Sequence, residues 1–303
     1  MTRPSDLSIA DLIRLQHEAL PRLDWPRQPP ARLAHRPAQI AGQHRGTAAV
    51  RGLEFRETRQ YLPGDDPRLI DWRQTARRGK PYVRVLDAER DHAVWLGVSM
   101  DASMRFGSQG ALKAVLALQL AAWFAWSAVR GGDRVGLLAS GLNASDGLLP
   151  RRGAAGALAV CDHLWRRSAA DPVRPNAPLE HGEAPVRPGD SLIWIDDFYD
   201  ERMDAALAPL TRRAHVGLVQ VVDPLEADAP PPGRYPVRNA AGVVSHLDTR
   251  DPAVRAAWGA PLQARHRRLD AWCAAQGAAR IICPTTSQSA QWRRAFLVPG
   301  SAS

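Results

Sequence analysis

Lysine is nearly missing from this chain. Of its 40 basic Lys and Arg residues, only Lys80 and Lys113 are lysines, so the net charge of +9 is an arginine charge. An arginine excess beside plentiful Ala, Gly, Pro and Trp is also what a GC-rich genome produces. The arginines form no block of five or six, whereas a nucleic-acid footprint is a clustered patch, so nucleic acid is not the expected partner. Cysteine is equally sparse. Cys161, Cys273 and Cys283 are odd in number and have no CxxC spacing, which excludes a disulfide scaffold and the usual structural zinc site. That pattern fits a reducing compartment, and a cytoplasmic location is expected. There is no Gly-x-x-x-x-Gly-Lys-Ser/Thr, His-Glu-x-x-His or Gly-x-Ser-x-Gly sequence. The chain is therefore not itself a P-loop ATPase, and the common protease and hydrolase signatures are absent. The nine histidines are dispersed, and none makes a recognisable triad with a Ser and an Asp. The N-terminus leads into a polar helix, so no secretory signal is expected.

What is present is enough apolar material for a full core: 45% of 303 residues. The run Ala111 to Arg130 is apolar almost all round. Lys113, Gln119 and Ser127 interrupt it and Gly131-Gly132-Asp133 ends it, which favours a buried helix over a membrane span. Ser8 to Asp11 has capping-box spacing ahead of a helical stripe at Ile9, Leu12, Ile13 and Leu20. Residues 21–45 hold five prolines and read as a linker. A strand is expected to Tyr61, then a turn at Pro63 to Pro67 and a short helix over 68–78, with Trp72 packed beneath it. A further strand holds Tyr82, Val83 and Val85. From Ala93 onward, strands at 93–98, 134–140, 191–195, 215–222 and 279–283 alternate with helices at 111–130, 154–167, 201–214, 251–276 and 287–296. A Pro-rich loop is expected at 168–189 and a hairpin insertion at 233–247. Alternation with apolar strands predicts an α/β fold, a mostly parallel sheet flanked by helices, preceded by a small strand-rich segment. The domain boundaries read as 1–45, 46–92 and 93–303.

In such a sheet, function lies outside the carboxyl ends of the strands. Those ends carry Ser99, Asp101 and Ser103 after the first strand of the large domain, Asp196-Asp197 after the strand at 191–195, and Asp223 after 215–222. Upstream, Arg51 to Arg78 interleaves carboxylates with arginines. It contains Glu54-Phe55, then Arg59-x-Tyr61-x-Pro-Gly-Asp65-Asp66, then Ile70-Asp71-Trp72 and Ala76-Arg77. Glu89-Arg90, Ser103-Met-x-Phe106-Gly107, Gly132-Asp133-Arg134-Val-Gly136, Asp196-Asp197-Phe198 and Asp223-Pro-x-Glu226 follow in order. Over roughly residues 46–300 the chain resembles the domain of unknown function 58 family. The resemblance implies a von Willebrand factor A-like (Rossmann-like) domain, frequent association with MoxR-type AAA+ ATPases, and no agreed enzymatic activity.

Von Willebrand A-like domains often carry a metal-ion-dependent adhesion site, Asp-x-Ser-x-Ser with a Thr and an Asp from later loops. Mg²⁺ asks for six hard oxygens there. This chain departs from the pattern. Read from Asp101, Arg105 falls where a hydroxyl belongs; read from Ser103 as the last hydroxyl, Ser99 falls on the Asp position. The second loop, Leu149 to Gly153, offers no Thr, and only Asp197 sits well. A degenerate Mg²⁺ site of Asp101, Ser103 and Asp197 is thus the lesser reading, and no cofactor is expected. The alternative is that Asp101 and Asp197 pair with arginines.

The leading expectation is a non-enzymatic interaction protein. Its docking rim would be Ser99, Asp101, Ser103, Arg105 and Asp197, and its partner a MoxR-type AAA+ ATPase or the client which that ATPase remodels. The signature residues Glu54, Arg59, Tyr61, Asp65, Asp66, Arg68, Asp71, Trp72 and Arg77 would form an ion-pair network. The alternative is a metal-dependent hydrolase or nuclease using Asp65, Asp66 and Asp71. Cys161 and His163 do not share a helix face, and Cys283 reads as a small core residue.

Overall fold

The computed structural model describes residues 7–20, 53–62, 65, 67–88, 92–138, 147–169, 186–238 and 244–296. The side chains of 53–57, 84–88, 167–169 and 293–295 fall outside that description, as do the linker at 21–45, Pro63, Gly64, Asp66, Glu89, Arg90 and most of the Pro-rich loop. The chain divides into a small unit, Ala38–Asp91, and a large one formed by Met1–Pro37 and His92–Ser303.

In the small unit, β1 (Leu53–Gln60) and β2 (Tyr82–Ala88) pair antiparallel, with an irregularity between Phe55 and Glu57. Between them a 3-10 turn at Pro67–Leu69 leads to α2 (Trp72–Arg78). The expected helix over 68–78 therefore starts later, because Ile70 bridges to Val83 and Asp71 caps the helix from outside. The Asp71 carboxylate accepts from the backbone N–H groups of Arg73 and Gln74, both at 3.1 Å, satisfying donors that a helix start leaves unpaired. Gly79, at φ 69°, ends it in the left-handed conformation that glycine adopts without steric cost.

The large unit opens with α1 (Ile9–Arg14), whose Ser8–Asp11 capping box is complete with Asp in the reciprocal position. The order then runs β3 (Ala93–Val98), α3 (Lys113–Arg130), β4 (Arg134–Leu137), β5 (Leu148–Arg151), α4 (Gly153–Ala169), β6 (Ser191–Asp196), α5 (Arg202–Thr211), β7 (His215–Val222) and α6 (Pro224–Ala227). A hairpin of β8 (Arg234–Arg238) and β9 (Val244–Asp248) follows. The chain continues as α7 (Pro252–Ala257), α8 (Ala260–Gln276), β10 (Ala279–Pro284) and α9 (Ser289–Phe296). One six-stranded sheet has the order β10-β7-β6-β3-β4-β5, parallel except for the antiparallel edge strand β5. The fold is α/β with helices on both faces.

Two expectations are corrected. Leu148–Arg151 is a strand, where a loop was read; its Pro150 suits a sheet edge, where a missing N–H costs no ladder bond. The expected helix over 251–276 is two helices, because Gly259 caps a new start and Pro261 occupies its first turn.

The buried strands have no polar face. All six residues of β3 and of β6 are buried, as a parallel sheet covered on both sides requires. Gly97 has no room for a side chain, since a Cβ there would run into the Trp194 ring. The long apolar helix α3 lies inside the protein, and among the described residues no helix is long and apolar enough to cross a membrane. Ser127, one of its polar interruptions, accepts from the Leu20 N–H at 3.0 Å. Trp126 and Trp123 donate to the carbonyls of Leu12 (3.2 Å) and Glu18 (3.0 Å), so residues 7–20 are packed onto α3 by named bonds. Trp123 and Phe124 meet Trp292 and Phe296 of α9 on that same face. The opposite face is covered by α5 and α8 through Leu207, Leu210 and Leu269.

Candidate functional site

Strand order locates the site. From β3 the chain moves to β4 on one side and later returns to β6 on the other. Loops leaving β3 and β6 therefore diverge and open a crevice at their carboxyl ends, the topological switch point. A 3-10 turn at Ala102–Arg105, preceded by Asp101, follows β3; Asp196 ends β6 and Asp197 to Tyr199 follow it; Asp223 caps α6 after β7.

The centre of the rim is a lysine. Lys113 begins α3, and side chains in a first helical turn lean back past the helix start, here toward the ends of β6 and β7. Its Nζ donates to Asp197 at 2.7 Å and to Glu226 at 3.0 Å, and lies 5.7 Å from the centre of the Phe106 ring. Glu226 in turn accepts from Arg265 at 2.8 Å and from the Asp223 backbone N–H at 3.1 Å. The Arg265 guanidinium stacks 5.0 Å from the centre of the Tyr199 ring. Two carboxylates, Asp197 and Glu226, are thus balanced by two cations, Lys113 and Arg265. Asp197 is only 1% exposed. Burial pushes its carboxyl up. The Lys113 charge and hydrogen bond, with bonds from the Tyr199 N–H and the Ser103 hydroxyl, outweigh that and hold it below the usual range. Asp196 goes the other way: burial first, then the charges of Asp197 and Asp101, push it up to about 8.

The turn after β6 is strained. Phe198 has φ 54°, unusual for a bulky residue, and is held there by its buried ring and by Arg268, which donates to its carbonyl at 2.6 Å. Asp223 is a second anchor. It accepts from the Ser108 N–H (2.8 Å) and hydroxyl, the Leu225 N–H (3.0 Å) and the Thr285 hydroxyl (2.9 Å), which hold it below the ordinary carboxylate range against its burial. It ties the loops after β3, β7 and β10 together.

Of the expected rim residues, Ser103 and Asp197 meet. Ser99 is buried beneath them and Arg105 is exposed. The arginine partner expected for Asp197 is corrected: its charge partner is Lys113, whose position at the start of α3 brings its Nζ within 2.7 Å of the carboxylate. Lys113 was visible in the sequence as an interruption of an apolar run. Its rarity in an arginine-dominated chain was the signal. Glu226 and Phe106 stand in motifs of the sequence, whereas nothing in the local pattern marks Arg265 or Tyr199. Tyr199 is 68% exposed and Phe106 42%.

Elsewhere, Arg59 grips Asp65 with two bonds of 2.8 and 2.6 Å, and this pairing, chiefly, depresses the Asp65 carboxyl. Asp71 is the α2 cap described above. Tyr61 donates its N–H to the Pro81 carbonyl at 2.9 Å, and Arg68 and Arg77 are exposed. The expected packing of Trp72 beneath its helix is corrected: it is 69% exposed, since the first turn of α2 points its side chain outward. Glu54's side chain and Asp66 lie outside the described residues.

The dispersed histidines also need a correction. His92 Nε2 lies 3.1 Å from the Ser191 hydroxyl, and its Nδ1 lies 3.0 Å from Asp133. Three strand starts, distant in sequence, bring them together. They lie at the amino ends of β3, β4 and β6, and Ser191 is only 3% exposed, so its hydroxyl is closed off from a substrate.

A doubly wound α/β domain with an ion-paired group of Lys113, Asp197, Glu226 and Arg265 at its rim is the class these features define. The chain matches the family described as Protein of unknown function DUF58 over residues 57–268 and belongs to it. Similar proteins include Uncharacterized protein Mb1516 of Mycobacterium bovis and an uncharacterized protein of Mycobacterium tuberculosis. Each is 31% identical over 227 residues, covering 71% of this chain and 69% of the relative.

Proposed function

We propose that this chain is a non-enzymatic interaction protein. Its von Willebrand A-like domain would dock a partner at the carboxyl-end rim, and the partner would be a MoxR-type AAA+ ATPase or the client that ATPase remodels. One observation carries the reading. Lys113, Asp197, Glu226 and Arg265 answer one another, while Phe106 and Tyr199 remain on the surface beside them. A reacting site needs an accessible nucleophile or base; an interface needs exposed aromatic area over a rigid support. Asp65 and Asp71 support the same choice over a hydrolase, because Arg59 and the α2 backbone already engage them.

The test is capture of the MoxR-type ATPase by the tagged full chain with ATP present. Tyr199→Ala with Phe106→Ala is expected to reduce recovery at least tenfold without unfolding the protein. Undiminished recovery would reject the rim as the docking surface.

A further inference from the structure

The von Willebrand A-like reading brings with it a divalent cation at this rim, and the residues present do not fit one. Lys113 Nζ stands within hydrogen-bond distance of both Asp197 and Glu226, and the Ser103 hydroxyl also bonds Asp197. Among the described residues no three His, Cys, Asp or Glu side chains are placed to hold an ion. We infer that Lys113 is the rim's built-in cation: its ammonium takes the position of the divalent ion, and the loops after β3, β6 and β7 are assembled without metal.

The physics of the two cations differs in a way that suits this arrangement. Mg²⁺ needs six oxygens in a near-octahedral shell and keeps several waters. An ammonium needs only a few acceptors and brings a single charge. Asp197 and Glu226 supply two of those acceptors, and the Phe106 ring faces the ammonium as well. With Arg265 on the other oxygen of Glu226, the two carboxylates are neutralised. A divalent ion would have to displace the ammonium from the Asp197 and Glu226 oxygens that it already occupies. Because Lys113 is covalently part of α3, the cation cannot be stripped by chelators. The rim is then a surface whose shape does not depend on ion supply. The inference concerns the same rim as the docking proposal and rests on that reading only for its consequence, that docking tolerates chelation.

Mn²⁺ titration of the full chain, followed by the spin resonance of the unbound ion, tests it. Wild type is expected to bind no Mn²⁺ saturably at micromolar concentration. Lys113→Ala exposes the oxygens of Asp197, Glu226 and Ser103, and is expected to bind one Mn²⁺ per chain and to melt at a higher temperature with it. Lys113→Ala with Asp197→Asn is expected to bind none. One-to-one binding by wild type that Asp197→Asn abolishes would overturn the inference. So would a folded Lys113→Ala that binds no Mn²⁺. Should Lys113→Ala not fold, the wild-type titration decides alone. These readouts involve no partner, so they stand apart from a failure of ATPase capture.

Discussion

The two ends of the central sheet both carry polar clusters. At the amino ends of β3, β4 and β6 stand His92, Asp133, Asp190 and Ser191. There Asp190 accepts from the N–H groups of Ala93 (3.2 Å) and Arg187 (2.9 Å) and from the Trp95 indole (3.0 Å). At the carboxyl ends Lys113, Asp197, Glu226 and Arg265 chiefly engage one another. The amino-end groups staple the backbone of neighbouring strands and lie buried or half-buried. The carboxyl-end groups support loops that reach the surface, with Tyr199 and Phe106 exposed over them. In the amino-end cluster the Ser191 hydroxyl is enclosed. The charged groups are enclosed at both ends; what separates the ends is the exposed aromatic area of Tyr199 and Phe106 over the carboxyl-end group.

The largest effect that would sharpen this contrast is at Lys113. Removing one partner of a buried ion pair leaves an uncompensated charge, so Lys113→Ala should lose about 3–5 kcal/mol in denaturant unfolding. Adding Asp197→Asn should recover part of that loss; a double variant less stable than the single would contradict the pairing. At the amino end, Asp190→Ala leaves buried N–H groups unanswered and should lose about 1–3 kcal/mol. An unchanged unfolding midpoint would mean these bonds do not staple the strands. Ser191→Ala should change stability by only about 1 kcal/mol, and a fluorophosphonate probe should fail to label the wild-type protein. Labelling lost in Ser191→Ala would make that end an active site.

A pH series separates two neighbouring carboxyls at the carboxyl end. The folded protein keeps the Asp196 proton to about 8, whereas the unfolded chain releases it near 3.8. The unfolded state is therefore favoured progressively as pH rises between those values. Asp196→Asn removes that penalty while its amide oxygen can still accept from the Asp197 N–H. The variant should gain stability over wild type, with a gain that grows from pH 5 to pH 8. A gain that stays flat with pH would contradict the raised carboxyl. Asp197 behaves oppositely: its depressed carboxyl contributes stability above the ordinary 3.8 and loses it as acid protonates the folded form.

The sheet was legible because a fully buried parallel strand is a continuous apolar run. His215–Val222 has the limits the sequence suggests, and β6 extends one residue further, to Asp196. Short edge strands such as β5 carry no such run, and their pairing comes from a neighbour distant in sequence. The positions of Asp197 and Ser103 followed from strand ends. The identity of the group between them did not. Lys113 and Arg265 reach the rim from helix faces, across 84 and 68 residues of sequence from the Asp197 atoms they meet. No local pattern encodes such a contact. For the same reason His92, Asp133 and Ser191 were invisible as a set until three strand starts were aligned.

The most direct test of the account is recovery of the MoxR-type ATPase on the tagged chain with ATP, compared between wild type and the Phe106→Ala, Tyr199→Ala double variant. The account predicts strong capture by wild type and at least a tenfold loss in the variant at unchanged melting temperature. Equal capture by both, or none by wild type, would contradict it.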